Sequence, residues 1–302
     1  MNTPRNFEHE QTAIRSQANE REMSDIVDEV FDAVVEIAPE LRAVLADHRG
    51  AKGGRNPSGD EQSLADRKLD ELLYDALTPI DGIGSFASEE RETVVDVGGG
   101  LSLATDPLDG SSNLVSNTTV GTILAVYDGE LPTTGGDVIA GMILVFGPTT
   151  TLTVAVDGEV TEYVIADGEI IDSSPIILTG ENPIWGFAGG PDEWFDPITA
   201  FADDLYHRTK LRYTGAMVAD VQHLLAKGGI VGYPVQQSRP DGVLRLQYES
   251  NPVAYVVESA GGAASTGHER ILNVEPEGLH QRIPTFFGSP TMIEKLEERI
   301  GT

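Results

Sequence analysis

The chain has 302 residues, 40% of them hydrophobic, which suffices for one large domain or two closely packed ones. It has no cysteine, which excludes disulfides, thiol catalysis and thiolate metal sites, and no apolar run of the roughly eighteen residues a membrane span needs. Its 49 acidic and 20 basic residues give a net charge of −29, which repels nucleic acid and anionic membranes. Residues 1–22 are polar, lack an apolar signal region and read as a flexible extension on a protein expected in the cytoplasm. Ser24 fits an N-cap, and Ile26, Val27, Val30, Phe31 and Val34 form the stripe of a helix running to about Asp47. Residues 49–59 are a glycine-rich basic loop, either a plain linker or a segment that closes over a site. A second helix is predicted from about Glu61 to Ala76; Asp66 on it reads from spacing alone as a solvated position.

Leu101–Thr105 reads as a short buried strand that Pro107 should end. From Val120 to about Ile177 the chain is strand-rich, with candidates at 121–128, 141–147, 151–157, 160–167 and 170–172. Asp-Gly-Glu recurs at 128–130, 157–159 and 167–169, where hairpin turns fit an antiparallel meander. A change of character over 186–197 suggests halves at 23–190 and 191–302. In the second half, helices are expected over 216–227, from Asn251-Pro252 to Ala260, and after Ser289-Pro290, with strands at 230–233 and 243–249.

The most informative stretch is Asp106-Pro-Leu-Asp-Gly-Ser-Ser-Asn113. Two carboxylates at a strand end suit a hard divalent cation, and Gly110-Ser111-Ser112 can turn successive N–H groups toward one anion. Together they suggest a metal-bound phosphate. No Lys or Arg lies between Arg91 and Arg208, so a side-chain cation for that phosphate must come from elsewhere in the chain or from another subunit.

This octapeptide resembles the signature of class I fructose-1,6-bisphosphatases, within the metal-dependent sugar and inositol phosphatase superfamily. Ser88-Glu-Glu90, Arg212-Tyr-Thr-Gly-Ala-Met-Val-Ala-Asp220, Leu244-Arg-Leu-Gln-Tyr-Glu-Ser-Asn-Pro252 and Glu258-Ser-Ala-Gly-Gly262 are similar to segments of the same family. The resemblance implies an α+β, layered α/β/α/β/α fold with a largely antiparallel N-terminal sheet and a smaller C-terminal one. It also implies hydrolysis of the 1-phosphate of fructose 1,6-bisphosphate, in gluconeogenesis. Two or three Mg²⁺ ions per subunit, or Mn²⁺ in their place, would be held by Asp106, Asp109 and Glu249, by Glu89, Asp106 and the Leu108 carbonyl, and by Asp60 with Glu89. Asp66 and Glu90 would orient or deprotonate water. The backbone at Gly110, Ser111 and Ser112, together with Asp109, would meet the 1-phosphate. Met217 would pack on the sugar, and Tyr213 and Tyr233 would hydrogen-bond the distal phosphate, although Met217 and Tyr233 also read as ordinary core residues. Arg212 resembles a residue lent to a neighbouring subunit, which implies a homo-oligomer, a tetramer or dimer.

Departures bear on specificity and regulation. Val243 stands where the family usually has Lys, and Ala188-Gly-Gly-Pro191 replaces its Asn-Glu-Gly-Tyr stretch, with Arg239 nearby as a compensating cation. Gly100-Leu101 replaces a Lys-Tyr pair that helps bind inhibitory AMP in animal enzymes, so AMP inhibition is not expected. Another sugar bisphosphate such as sedoheptulose 1,7-bisphosphate, an inositol phosphate, or a catalytically silent regulator are the alternatives. The acidity suits a high-salt cytosol, because at ~1 M salt the Debye length shrinks to ~3 Å and self-repulsion is screened.

Overall fold

The computed structural model describes residues 5–49, 52–57, 59, 61–180 and 183–301. Helix α1 (Arg5–Asp47) starts well before the expected Ser24, so 5–22 continues the same helix; nothing in Glu-, Gln-, Ala- and Arg-rich 5–22 breaks it. A hairpin of β1 (Lys52–Arg55) and β2 (Glu61–Ser63) follows. Residues 61–63, expected to open the second helix, are thus extended, and α2 (Leu64–Leu77) begins at a capping box in which Ser63 Oγ accepts the Asp66 N–H and the Asp66 carboxylate accepts the Ser63 N–H.

β3 (Ile83–Ser88), β4 (Val95–Asp96) and β5 (Leu101–Asp109) come next. β5 runs through Pro107 instead of stopping at it: its register against β6 (Val120–Tyr127) shifts between Asp106 and Asp109, a bulge that takes up the proline. A short helix, α3 (Asn113–Ser116), separates β5 and β6. β7 (Val138–Phe146), β8 (Thr150–Val156), β9 (Glu159–Ala166) and β10 (Glu169–Pro175) complete an eight-stranded sheet of order β10-β9-β8-β7-β6-β5-β3-β4. Every pairing is antiparallel except β3 with β5. The Asp-Gly pairs at 157–158 and 167–168 have positive φ and form the tight hairpin turns expected of them. Asp128-Gly-Glu instead begins the longer loop that joins β6 to β7.

β11 (Ile184–Phe187), α4 (Asp196–Tyr206), β12 (Lys210–Leu211), α5 (Met217–Lys227) and β13 (Gly229–Tyr233) open the second half. β14 (Leu244–Arg245), α6 (Asn251–Ser259), β15 (Ala263–Ser265), β16 (Arg282–Ile283), β17 (Thr285–Gly288) and α7 (Pro290–Ile300) follow. The second sheet has order β12-β11-β13-β17-β15, so the change of sheet falls between Pro175 and Ile184, ahead of the boundary expected at 190. The expected strand 243–249 stops at Arg245. Leu246–Ser250 winds into a π-helical turn that feeds directly into α6, so Asn251 lies inside continuous helix and is not its cap.

Five layers result. On β7, Met142 and Leu144 join the core under α1 and α2, while Ile143 and Val145 join the core that holds α5, α6 and the inner face of the second sheet. That double burial explains why the strands read as unbroken apolar runs. Trp185, Phe187, Ile230 and Phe286, on the far face of the second sheet, pack against Phe201 and Leu205 of α4 and Ile293 and Leu296 of α7.

Candidate metal and phosphate site

Because β3 and β5 are parallel neighbours, their C-terminal ends lie side by side, with Ser88 opposite Thr105 and the Glu89 N–H donating to the Thr105 carbonyl at 3.1 Å. The acids that follow each strand are thereby brought together. The third contributor arrives from the second half. Ala87, Ala104 and Ala125 lie in register on adjacent strands and leave a shallow floor on which Tyr248 packs, so the π turn approaches the sheet closely. Gln247, fully buried, clamps the turn to the β6–β7 loop: its Nε2 donates to the Thr133 carbonyl at 2.8 Å and its Oε1 accepts the Thr133 N–H at 3.1 Å. The Tyr127 hydroxyl donates to the Gln247 carbonyl at 2.9 Å. As a result Glu89, Asp106 and Glu249 each place a carboxylate oxygen within 4.8 Å of the others.

Burial chiefly, then mutual repulsion, raises the pKa of Glu89 and Asp106 well above the carboxylate range; burial raises Glu249 as well. Like charges ~4 Å apart cost about 4 kcal/mol at an effective dielectric of 20. Arg245, and at Glu249 also Arg282, partly offset this. Arg245, 4% exposed, sets Nη1 2.9 Å from Glu89 and 3.6 Å from Glu249, and its backbone N–H donates to Glu249 at 2.6 Å. The all-oxygen, anionic donor set fits a hard divalent ion such as Mg²⁺ or Mn²⁺.

Asp109 lies beside this triad, close enough that Glu249 repels it and it repels Asp106. Its Oδ2 accepts the Val218 N–H at 2.8 Å at the start of α5, and burial pushes its pKa up to about 8. Asp106 Oδ1 accepts the N–H of buried Leu108 at 2.9 Å. The chain then turns at Gly110, whose φ is +77° and where a Cβ would lie 2.4 Å from that of Ala216; only glycine fits. Among the described residues, the backbone N–H groups of Ser111 and Ser112 meet no hydrogen-bond acceptor. They adjoin the acids as an anion nest requires.

Two family models cover nearly the whole chain: "Fructose-1-6-bisphosphatase, N-terminal domain" over residues 3–174 and "Fructose-1-6-bisphosphatase, C-terminal domain" over 181–300. The chain belongs to the fructose-1,6-bisphosphatase family. A class 1 fructose-1,6-bisphosphatase of Haloarcula marismortui is 44% identical over 282 residues, covering 92% of this chain and 96% of that one. One of Halobacterium salinarum is 45% identical over 279 residues, covering 91% and 97%. The fructose-1,6-bisphosphatase of Leishmania major in its holo form superimposes with a TM-score of 0.86 at 26% identity, over 92% of this chain and 95% of that one. The layered fold expected from the resemblance is the fold observed. The halophilic relatives fit the acidic composition.

The other residues to which the family resemblance points fall as follows. Glu90 accepts from the Gln62 amide, and burial, followed by repulsion from Asp66, raises its pKa to about 7. Asp66 is buried and held in the capping box, not solvated as its spacing suggested. Asp60 lies outside the described residues. The 49–59 loop does reach the site: buried Asn56 donates to Glu89 at 3.0 Å. Met217 is 1% exposed within the core, and Tyr233 is buried with its hydroxyl donating to Asp220 at 3.0 Å. Tyr213 is 45% exposed, and the exposed Arg212 guanidinium turns back to the Leu211 carbonyl at 2.7 Å. Sequence reasoning missed Arg245, Asn56, Gln62 and Gln247. Arg245 had a signal: with no basic residue between Arg91 and Arg208, and Arg91 occupied by Asp70 at 2.8 Å, the site's cation had to come from outside that span.

Proposed function

We propose that the protein is a divalent-metal-dependent phosphatase that hydrolyses the 1-phosphate of fructose 1,6-bisphosphate, giving fructose 6-phosphate and phosphate. Its proposed place is cytoplasmic gluconeogenesis. The convergence of Glu89, Asp106 and Glu249 beside the Gly110–Ser112 turn carries the reading. Glu89, Asp106 and Glu249 are the proposed ligands of two Mg²⁺ or Mn²⁺ ions, with Asp109 and the Leu108 carbonyl completing the set and Asp60 serving a third. Bound there, the ions supply charge for the phosphoryl oxygens and for the leaving sugar oxygen. Gly110, Ser111 and Ser112 bind and orient the 1-phosphate through their backbone. Glu90, poised near neutrality, takes the proton of the attacking water, and Asp66, fixed by its cap, orients it. Tyr213 and Tyr233 face the distal phosphate. Exposed Arg212 serves a neighbouring subunit in a homodimer or tetramer.

A second reading, another sugar bisphosphate such as sedoheptulose 1,7-bisphosphate, draws on Val243. Its carbonyl is occupied by Arg282, and its side chain brings no charge to the position where the family usually has Lys. Phosphate release at molar KCl, across fructose 1,6-bisphosphate, sedoheptulose 1,7-bisphosphate and an inositol phosphate, with Mg²⁺ or EDTA, decides between them. Fructose 1,6-bisphosphate is expected to give the highest kcat/KM, only with Mg²⁺, and E89Q, D106N and E249Q are expected to abolish it. Release that persists in EDTA, or no release from any substrate, sinks the proposal.

A further inference from the structure

The two ends of the proposed substrate site are joined through one buried acid outside the metal triad. Asp220 on α5 is 1% exposed and accepts three hydrogen bonds. Its Oδ1 takes the Thr214 N–H and the Thr214 hydroxyl, each at 2.8 Å, and its Oδ2 takes the Tyr233 hydroxyl at 3.0 Å. Thr214 is in turn held from the phosphate side. Asn113 Nδ2 donates to the Thr214 carbonyl and to the Thr119 carbonyl, both at 3.1 Å. Two residues before Asp220, Val218 donates its N–H to Asp109. Gly215, at φ +85°, lies against Asn113, and Ala216 lies against Gly110, where a Cβ would come within 2.4 Å of its own. An unbroken run therefore leads from the Gly110–Asn113 turn through Asn113, Thr214 and Asp220 to Tyr233.

This has a consequence for Tyr233. In the free protein its hydroxyl donates to Asp220, so the ring's orientation is set by that carboxylate before a ligand arrives. A carboxylate on α5 that accepts from two other segments, the Thr214 loop and β13, fixes their separation. The distance between the 1-phosphate turn and the distal tyrosine is then a property of the free protein.

We infer that Asp220 is a positioning residue that sets the span between the two phosphate subsites and so selects bisphosphates over monophosphates. The inference rests on the proposed reading of the site. The measurement is the ratio of kcat/KM for fructose 1,6-bisphosphate to that for fructose 1-phosphate, at molar KCl and saturating Mg²⁺. Asp220→Asn replaces one accepting oxygen with a donor, so either the Tyr233 or the Thr214 donors lose their acceptor. The ratio is expected to fall about tenfold. Tyr233→Phe should lower it by a similar factor, and the double variant no further, because both cut the same link. Thr214→Val, which removes one donor and keeps the carboxylate, should lower it about threefold and carries the test if Asp220→Asn yields no soluble protein. An unchanged ratio in Asp220→Asn or Thr214→Val, or multiplicative effects of D220N and Y233F, overturns the inference. A wild-type enzyme inactive on fructose 1,6-bisphosphate overturns the proposed function instead.

Discussion

Arg245→Met tests the electrostatic account of the site most directly. The guanidinium is 4% exposed and lies 2.9 Å from Glu89 and 3.6 Å from Glu249, between carboxylates whose pKa values burial has already raised. Methionine keeps much of the side chain's length and removes its charge, leaving two buried acids without their contact cation. Stripping one partner from a buried ion pair costs about 3–5 kcal/mol. For 302 residues at ~2.1 cal/mol/K each, the unfolding entropy is about 0.6 kcal/mol/K, so the loss corresponds to about 5–8 °C in Tm. The assay is thermal unfolding at 2 M KCl, followed by circular dichroism, once in EDTA and once in 10 mM MgCl₂. The full loss is expected in EDTA. In Mg²⁺ at least half of it should disappear, because a divalent ion between the same carboxylates replaces the missing positive charge. R245K should fall between wild type and R245M in EDTA, since an ammonium brings the charge without the fork. A loss under 1 °C in EDTA, or an equal loss in both conditions, refutes the reasoning.

Gln247→Ala leaves the Thr133 N–H and carbonyl without their partner and releases the π turn; a loss of about 2–5 kcal/mol in denaturant unfolding is expected, with more Mg²⁺ needed for half-maximal activity. Ser63→Ala removes the hydroxyl half of the α2 capping box, so it should cost about 1 kcal/mol in the same assay, while kcat should fall less than threefold because the backbone N–H at position 63 still holds the Asp66 carboxylate. Glu90 binds its proton more tightly folded (about 7) than unfolded (4.5), because burial and Asp66 raise its pKa, so the EDTA-treated protein should be most stable near pH 4.5–5 and lose up to about 3 kcal/mol as pH rises to 7. Added Mg²⁺ should flatten that slope in pH-resolved melts, and a metal-free protein that gains stability over the same window contradicts the assignment.

The antiparallel meander was legible because double burial produces apolar runs of strand length and the Asp-Gly turns at 157 and 167 punctuate them, whereas the layering came from the family resemblance. The acids were legible as types in sequence order, but their meeting was not. It depends on the parallel pairing of β3 with β5, which no local pattern encodes, and on three alanines that matter only once they stand in register. Two misreadings had local causes. Pro107 argues for a strand end, yet a bulge accommodates it. The alternation of 243–249 argues for a strand, yet the tertiary bonds of Gln247 and a local bond from the Arg245 N–H to Glu249 hold those residues in a π turn. Asp66 looked solvated because helix spacing records a face but not what packs on it.

The same segments explain why so unfavourable a cluster survives folding. Each acid is mounted on an element whose stability comes from elsewhere: β3 and β5 from the core under α1 and α2, the π turn from Gln247 and Tyr248. The repulsion among the acids is therefore confined to a small volume and is relieved by Arg245, with Arg282 adding to it at Glu249; a divalent ion would relieve it further. It is also short-range and buried, so salt scarcely screens it, whereas the surface charge that makes up most of the −29 is screened at ~1 M. In concentrated salt the long-range repulsion of an incoming bisphosphate fades while the local attraction of the site remains. A surface this acidic is thus compatible with an anionic substrate only where ionic strength separates the two length scales.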